Sequence, residues 1–270
     1  TPLFQDPLYF PEPKFAQKIR KEKVDIIHAH NIHTFPPLIT ALSKTNSSKL
    51  ILQPHYHKYG QTPLRNSLFQ LYQKTFFNLL FMKTNTIIAN SLYEQQTLQE
   101  DFPKITNIHL IPEGLDTTEA LKIKHNPLLP KRILFVGILK NYKNVHKLLE
   151  GFAYLIKKEK KDYRLVIIGE GPEYANLTNL SKILGIENSV EWKHNLPRPE
   201  LLEEYSKASI FVMLSQLESF SRVVYDALII GLPTVLLNFG ALHNLVSEGF
   251  AEGVNTLKPK KIAQSLEKAS

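Results

Sequence analysis

Residues 210–237 read IFVMLSQLESFSRVVYDALIIGLPTVLL, and this stretch decides the fold class. It opens with a short apolar strand candidate at 210–213, passes through a loop of small and polar residues, and continues with helical periodicity over 222–230. Gly231 ends that helix where a left-handed residue is favoured, and a second apolar run follows at 234–237. A strand, a helix and a strand in this order predict a βαβ unit with parallel strands.

The same alternation extends over the whole chain. Short β-branched runs predict strands at 24–28, 49–53, 86–89, 108–111, 132–136, 164–168, 189–192, 210–213 and 234–237. Segments of helical period predict helices at 15–23, 63–83, 92–101, 145–158, 174–184, 199–207 and 222–230. Near-continuous Val, Ile and Leu is typical of parallel strands covered by helices on both faces, so the fold class is α/β. Gly151 lies inside one helical pattern and predicts close packing against a neighbour.

The chain divides into two halves. Residues 112–131 are rich in turn formers and charge, which predicts a linker. A second βαβ series starts at Arg132, so we predict two Rossmann-like lobes with parallel sheets, 1–125 and 126–270. Open α/β sheets bind ligands beyond the carboxyl ends of their strands, and the cleft between the halves is the expected site.

Composition excludes several classes of protein. The 270 residues are 43% hydrophobic and 21% charged, which is typical of a globular protein. The absence of cysteine excludes a disulfide framework, a thiolate nucleophile and a cysteine-based metal site. No apolar run approaches the ~18 residues of a membrane span, and nothing at the start resembles a secretory signal, so we expect a cytoplasmic protein.

The net charge of +8 indicates an anionic partner. Nucleic acid, acidic lipid and phosphorylated small molecules all satisfy this requirement, and charge alone does not choose between them. The sequence contains no stacked-aromatic sheet signature or nucleic-acid recognition motif, so we expect no nucleic acid partner.

The loop before the 222–230 helix carries the residues best suited to chemistry. Ser221 suits the N-cap, and the unpaired N–H groups of the first helical turn form a site for a phosphate or a sugar hydroxyl. Glu218 and Asp226 would lie on the same side of a crevice at the strand end, where carboxylates accept hydrogen bonds from vicinal hydroxyls. The alternative is that Glu218 is a surface residue and Asp226 lies on a helix face, and that neither binds a ligand.

This segment resembles the E-x7-E signature of the retaining glycosyltransferases with two Rossmann-like lobes, the GT-B fold, of the family 4 type. The positions in register with that signature are Ser215, Glu218, Phe220, Ala227, Gly231 and Pro233. Three positions depart from it, because Asp226 replaces its second Glu while Ser219 and Ser221 replace glycines.

Further motifs extend the resemblance over nearly the whole chain. The DIIHAH strand at 25–30, the PEGLD hinge at 112–116, the LFVG strand at 134–137 and the GEGP turn at 169–172 are each similar to a family motif, in the family's order. Compared with the family, the chain starts after the first strand and Gly-rich loop and lacks the closing helices after Ser270. The resemblance therefore implies an incomplete first lobe, in a fragment or a naturally shortened relative.

The resemblance also implies a role for each lobe and for the phosphate-binding loop. Residues 126–270 would bind the nucleotide sugar, and residues 1–125 would lie on the acceptor side. Lys143 matches the lysine that neutralises the donor diphosphate, Ile138 replaces the arginine of the same loop, and Lys140 is a substitute cation.

Other roles follow in the same way. Glu218 would hold the hydroxyls of the donor sugar, Asp226 those of the ribose, and His55 would face the donor sugar from the acceptor side, while His194 replaces a glycine near the base. The implied catalytic residues are Glu218, His55 and Lys143. The implied donor-binding residues are Gly137, Lys140, Lys143, His194, Glu218, Ser219, Phe220, Ser221 and Asp226.

The activity implied by the resemblance is that of a hexosyltransferase. A sugar would pass from a nucleotide-sugar donor to a hydroxyl of a sugar or lipid-linked acceptor, with retention of anomeric configuration and without a cofactor or an essential metal. Polysaccharide or glycolipid biosynthesis uses this reaction. The alternative is a catalytically degenerate GT-B-like protein that holds a nucleotide or a glycan without turnover.

Two further features admit more than one interpretation. The 63–83 helix mixes Leu, Phe and Tyr with basic residues, so it could lie peripherally on the inner face of a membrane, as the corresponding helix does in similar transferases. Its polar face holds more Gln and Asn than Lys, which favours core packing instead. The histidines near His55 are His28, His30, His33 and His57. They lack an H-E-x-x-H-like spacing, so we expect no metal site.

Overall fold

The structure is a computed structural model that describes residues 11–58, 63–158 and 162–270. It divides into two compact units, of which unit 1 ends at Glu113 and unit 2 covers Gly114–Ser270. Each unit is built on a parallel sheet with helices packed against it, which confirms the predicted α/β class. Among the described residues, no helix is both long enough and apolar enough to span a membrane.

Within the described ranges, unit 1 contains a four-stranded parallel sheet whose strands lie in chain order. The strands are β1 Ile26–His30, β2 Lys49–Gln53, β3 Thr86–Ala89 and β4 Ile108–Leu110. The helices are α1 Phe15–Lys21, α2 Phe35–Ser43, α3 Pro63–Tyr72, α4 Asn78–Lys83 and α5 Leu92–Asp101, with a π-helical turn at Gln73–Phe77 between α3 and α4.

The two faces of the unit 1 sheet are covered unequally. Leu50, Leu52 and Ile87 are buried in a core with apolar residues of the helices. The other face of the edge strand β1 is open, and Ile26 on it is 59% exposed. The prediction that helices cover both faces is therefore wrong for β1, because the described helices of unit 1 contribute their buried residues to one face.

Unit 2 contains a six-stranded parallel sheet of order β10-β9-β8-β5-β6-β7 in the part of the chain that is described. The strands are β5 Lys131–Val136, β6 Tyr163–Ile168, β7 Val190–Lys193, β8 Ile210–Met213, β9 Thr234–Leu237 and β10 Glu252–Val254. The helices are α6 Val145–Lys158, α7 Tyr174–Ile183, α8 Arg198–Lys207, α9 Arg222–Ile230, α10 Leu242–Ser247 and α11 Pro259–Ala269. The strand order reverses between β5 and β8, and such a switch point opens a crevice at the carboxyl ends of the two strands.

The segment predicted as a linker packs on unit 2. Ala120 is fully buried in the unit 2 core, and the N–H of Asn126 donates to the carbonyl of Ser206 at 2.9 Å. The chain passes from unit 1 to unit 2 after Glu113, earlier than the predicted boundary after residue 125, because these contacts attach the segment to unit 2.

Two local predictions about glycine are confirmed. Gly231 has a φ of +79° at the C-cap of α9. Gly151 lies on α6 where a Cβ would be 2.5 Å from Cγ2 of Ile262 on α11, so only glycine allows this approach of the two helices. The helix α11 was itself missed by the sequence analysis, as were α2, α10 and β10. Two prolines in the first turn of α2 made its sequence resemble a loop.

Candidate active site

The loops after β5 and β8 meet at the switch point of the unit 2 sheet. The Nδ2 of Asn144 donates to the carbonyl of Leu214 at 2.8 Å, and the N–H of Gln216 donates to the carbonyl of Tyr142 at 3.0 Å. Asn144 is buried and has a left-handed backbone, with a φ of 54°, which turns the chain into α6. These bonds hold the two loops in a fixed relation at the carboxyl edge of the sheet.

An ion pair between Lys143 and Glu218 connects the same two loops. The Nζ of Lys143 lies 2.5 Å from Oε1 of Glu218, and the two side chains are 11% and 10% exposed. Charge-assisted hydrogen bonds of this length are among the stronger polar contacts in proteins. The structure therefore brings together the predicted phosphate-binding cation and the predicted sugar-binding carboxylate, and each neutralises the other.

Two residues that precede Lys143 on the loop after β5 differ in character. Ile138 is 44% exposed at the position where the resemblance would place an arginine. Lys140 is partly exposed, and its ammonium has no ion-pair partner among the described residues. Lys140 is therefore the cation of this loop that is not already neutralised by a carboxylate.

A cleft with several glycines in its lining lies at the ends of β5 and β6. A Cβ on Gly169 would collide with the carbonyl oxygen of Gly137, and a Cβ on Gly171 would collide with that of Leu139. Gly169 has a φ of +144°, which side chains rarely adopt. These glycines, with Asn195 and others, line a cleft of about 500 Å³.

The helix α9 begins at the rim of the switch point. Ser221 occupies its N-cap as predicted, but its side chain makes no capping hydrogen bond. The N-terminal N–H groups and dipole of the helix are therefore available to an anion. Ser219 and Phe220 are partly exposed, and the ring of Phe220 stacks on that of Tyr225 with centroids 4.6 Å apart.

Asp226, in the second turn of α9, is paired within the protein. Its carboxylate is 5% exposed and receives two hydrogen bonds from Arg198, from Nη1 at 2.5 Å and from Nη2 at 2.8 Å. The hydrogen bonds that Arg198 donates to Asp226 raise the pKa of its guanidinium further above its usual value. The predicted contact of Asp226 with a ribose would therefore have to use the lone pairs that Arg198 leaves over, on a side chain that is only 8% exposed.

His194 lies at the outer rim of the cleft. Its ring is exposed, stacks over Tyr174 with centroids 5.8 Å apart, and has Nδ1 3.3 Å from Oε1 of Glu170. Asn195 and Leu196, which follow it, line the cleft itself. The residues after β7 therefore form one wall of this cleft.

His55 belongs to unit 1, where it follows β2 with a φ of 49°. The Nε2 of Gln53 donates to Oδ1 of Asn90, which leaves Nδ2 of Asn90 to donate to Nδ1 of His55 at 2.9 Å. Burial lowers the pKa of His55, although Glu113, 3.8 Å from Nδ1, opposes this effect. The neutral ring therefore carries its proton on Nε2.

Glu94 fixes the two loops that hold this histidine. The side chain is fully buried, and its carboxylate accepts from the N–H of Tyr56 at 2.5 Å and from the N–H of Asn90 at 2.8 Å. Burial raises the pKa of Glu94 to about 7. The sequence analysis missed Glu94 and Asn90, although Ser91 and Glu94 have the spacing of a capping box directly after β3.

The neighbouring histidines form stacked rings. His33 packs against His57 with centroids 3.9 Å apart and against Phe69 at 4.4 Å, and His30 lies beside His55 with Nδ1 and Nε2 3.5 Å apart. In the part of the chain that is described, no group of three or more His, Asp or Glu side chains has a geometry that could hold a metal ion.

Sequence comparison identifies the family of this chain. The sequence model described as "Glycosyl transferases group 1" matches residues 116–270, and that described as "Glycosyltransferase Family 4" matches residues 2–119. The chain belongs to the group 1 glycosyltransferases. The first match covers more than half of the chain and contains the entire switch-point site of unit 2.

Similar curated proteins include glycosyltransferases of bacteria. An uncharacterized glycosyltransferase of Haemophilus influenzae is 36% identical over 61% of this chain and 45% of its own length. The N-acetyl-alpha-D-glucosaminyl L-malate synthase of Bacillus anthracis is 24% identical over 87% of this chain and 62% of its own length. The chain thus spans about half the length of the curated relatives that it matches.

Solved structures share the fold at low sequence identity. Anabaena HepE in complex with UDP and glucose has a TM-score of 0.75 and 17% identity, covering 94% of this chain and 70% of that one. Sucrose-phosphate synthase from Thermosynechococcus elongatus has a TM-score of 0.72 and 18% identity, covering 96% of this chain and 70% of that one. Two parallel-sheet units and these neighbours confirm the predicted GT-B architecture for this group 1 glycosyltransferase.

Proposed function

We propose that this group 1 glycosyltransferase moves a sugar from a nucleotide-sugar donor to the hydroxyl of a sugar or lipid-linked acceptor, with retention of anomeric configuration. The observation that carries the proposal is the Lys143–Glu218 pair at the carboxyl edge of the unit 2 sheet, the edge at which the glycine-lined cleft also lies. The reaction needs both a cation and a carboxylate close together, because the two groups have different functions. The cation stabilises a diphosphate, and the carboxylate accepts hydrogen bonds from sugar hydroxyls.

We assign the donor nucleotide to the glycine-lined cleft. Gly137, Gly169 and Gly171 line this cleft, so part of its wall is backbone that a nucleotide can contact. Asn195 on the cleft wall and His194 at its rim are the residues that we assign to the base. HepE, which shares the fold, binds UDP and glucose, and this supports a nucleotide ligand.

The leaving group would be stabilised by the charges at the switch point. The bond between the anomeric carbon and the diphosphate oxygen breaks during transfer, and negative charge accumulates on the diphosphate. Lys143, Lys140 and the N–H groups of α9 that follow Ser221 would offset that charge. Because these groups are all provided by the protein, we propose that the reaction needs no cofactor and no essential metal.

The remaining roles concern the sugar. Glu218 would hold the donor-sugar hydroxyls, with Ser219 and Phe220 forming the adjoining wall. The neutral His55 would donate from Nε2 to a donor-sugar oxygen. Retention requires the acceptor oxygen to attack the face of the anomeric carbon from which the diphosphate leaves. We propose this course for the transfer, with the proton of the acceptor hydroxyl passing to the departing diphosphate oxygen.

A lipid-linked acceptor is supported by the surface of the α3–α4 region. Leu71, Phe76, Leu79 and Met82 are exposed there, while Phe77 and its buried neighbours pack in the core. An exposed apolar strip with nearby lysines can bind a bilayer interface. Co-sedimentation with anionic vesicles tests this contact, which should weaken when Leu79 and Met82 are both changed to serine.

One observation favours the alternative of a nucleotide-binding protein without turnover. The cation predicted to neutralise the diphosphate is itself neutralised by Glu218 in the described structure. A donor that could not separate this pair would bind without being activated.

The test is an assay of the 270-residue chain with UDP-, GDP- and ADP-sugars against a set of sugar and lipid-linked acceptors. Transfer is expected in at least one pair, with the product keeping the donor's anomeric coupling constant and with an unchanged rate in a chelator. Calorimetric binding of a nucleoside diphosphate with no product in any pair would support the alternative. The absence of both binding and transfer would contradict both proposals.

A further inference from the structure

The inference concerns Arg198 and rests on the function proposed above. The resemblance assigns the carboxylate at position 226 to the ribose of the donor, and this chain has Asp where the family signature has Glu. Aspartate is shorter by about 1.5 Å, the length of one carbon–carbon bond. In the structure both oxygens of Asp226 are hydrogen-bonded by Arg198, at 2.5 and 2.8 Å.

Asp226 is held in this pair by its burial. The residue is 5% exposed, and its neighbours Val224 and Ala227 on α9 are fully buried in the unit 2 core. Separating the pair would leave a buried carboxylate without a counter-ion, which is strongly unfavourable. A bidentate guanidinium–carboxylate pair also fixes the geometry of both groups. Asp226 is therefore not a free acceptor that waits for a ligand.

Arg198 is close in sequence to the wall of the cleft. It is the first residue of α8, directly after the loop in which Asn195 and Leu196 line the cleft. Its side chain is 36% exposed, and its Nε lies 3.8 Å from Oε2 of Glu119. The guanidinium carries hydrogen-bond donors only.

We propose that Arg198 is a positioning residue that removes Asp226 from ribose recognition. The guanidinium occupies one lone pair of each carboxylate oxygen, and the Asp226 side chain is only 8% exposed, so the ribose hydroxyls find no accessible carboxylate acceptor at this position. The consequence is a donor site with little selectivity for ribose over deoxyribose. Removal of the guanidinium frees the carboxylate and creates that selectivity.

The experiment measures binding of UDP, GDP and ADP and of their 2′-deoxy counterparts to the 270-residue chain by calorimetry. We expect the wild-type affinities for a nucleoside diphosphate and for its 2′-deoxy counterpart to differ by no more than about threefold. Arg198→Ala is expected to favour the ribonucleotide by about tenfold or more, the effect of one hydrogen bond to a charged group. Asp226→Asn is expected to leave the ratio within threefold, and it serves as the second variant if Arg198→Ala does not fold.

Arg132→Ala is the matched control. Arg132 lies at the start of β5 and thus at the opposite end of the sheet, and its Nη2 contacts Glu191 at 3.0 Å and the buried Glu204 at 3.3 Å. The Arg132→Ala variant should have a lower thermal midpoint, as Arg198→Ala does, but an unchanged ratio of ribonucleotide to deoxyribonucleotide affinity. A wild-type preference of tenfold or more for the ribonucleotide over its 2′-deoxy counterpart would overturn the inference. This holds whichever of the two variants, Asp226→Asn or Arg198→Ala, abolishes that preference. If no nucleoside diphosphate binds at all, the proposed function fails first, and the two failures are thereby distinguished.

Discussion

The Nζ of Lys143 and the Oε1 of Glu218 lie 2.5 Å apart at the switch point of the unit 2 sheet, with both side chains about nine-tenths buried. The predicted cation for the leaving group and the predicted acceptor for the sugar are therefore partners of each other. Binding of a donor would redistribute these hydrogen bonds, since the Lys143 ammonium has three N–H donors and the carboxylate has further lone pairs.

Glu218→Gln should separate sugar transfer from nucleotide binding. The amide keeps the shape of the side chain but removes its charge, so Lys143 becomes a stronger partner for a diphosphate. We expect nucleoside diphosphate affinity to rise severalfold while the transfer rate falls by about 100-fold or more, as for other losses of transition-state stabilisation. Calorimetry and a product assay measure the two effects. Equal losses of affinity and rate would contradict separate roles.

Lys143→Met should weaken nucleotide binding. Methionine has a similar length without the charge, so the diphosphate loses one charge-assisted contact, and affinity is expected to fall by about tenfold. Lys147→Met is the control, because Lys147 pairs with Glu150 on α6 and is not part of the switch-point loop. Nucleotide affinities that fall equally in the two variants would indicate a general charge effect and would count against a specific contact.

Gly151→Ala should destabilise unit 2. The added methyl would lie 2.5 Å from Cγ2 of Ile262, which is fully buried and cannot move aside freely. Overpacking of this kind costs about 1–3 kcal/mol, against a gain in helix propensity of about 1 kcal/mol. Urea unfolding should therefore show a net loss. Combining Gly151→Ala with Ile262→Ala should cost less than the sum of the single changes, and a stabilised Gly151→Ala variant would contradict the close helix contact.

His33 should make unit 1 sensitive to acid. Burial is the largest cause that lowers the pKa of His33 well below its usual 6.5, and the nearby His57 lowers it further. The folded unit favours the neutral ring, so the stabilising effect is present above pH 6.5 and is lost as the pH falls below it. A single group contributes at most about 1.4 kcal/mol per pH unit.

The measurement for His33 is the thermal midpoint between pH 7.5 and pH 5.5. His33→Phe keeps a ring against His57 and Phe69 but cannot be protonated, so it should lose less stability than wild type across this interval. In the variant, the change of the thermal midpoint with pH should be smaller but still present, because burial also lowers the pKa values of His30 and His55. Identical slopes in the two proteins would show that His33 does not titrate in this range.

The fold could be predicted where local sequence carries the signal. Most strands of unit 2 are apolar on both faces, and Gly231 marks a helix end by its backbone conformation. The location of Glu218 after β8 and of Lys143 after β5 also followed from sequence, because the carboxyl ends of parallel strands lie at one edge. The open face of β1 could not be predicted, because the pattern of apolar residues along the strand does not show whether helices cover them.

The pairing of Arg198 with Asp226 was also beyond sequence reasoning. The two residues are 28 positions apart on different helices, and only the packing of α8 near α9 brings them together. Glu94 was missed for a related reason. Its capping-box spacing indicates a helix start, but its hydrogen bonds to the loops after β2 and β3 depend on the tertiary fold.

The most direct test is a crystal of the chain soaked with a nucleoside diphosphate that calorimetry shows to bind. Density for the diphosphate is expected between Lys143 and the N-terminal N–H groups of α9, with the base in the cleft that Gly137 and Asn195 line. A nucleotide bound at any other surface, with the Lys143–Glu218 pair unchanged and the cleft empty, would contradict the proposed donor site.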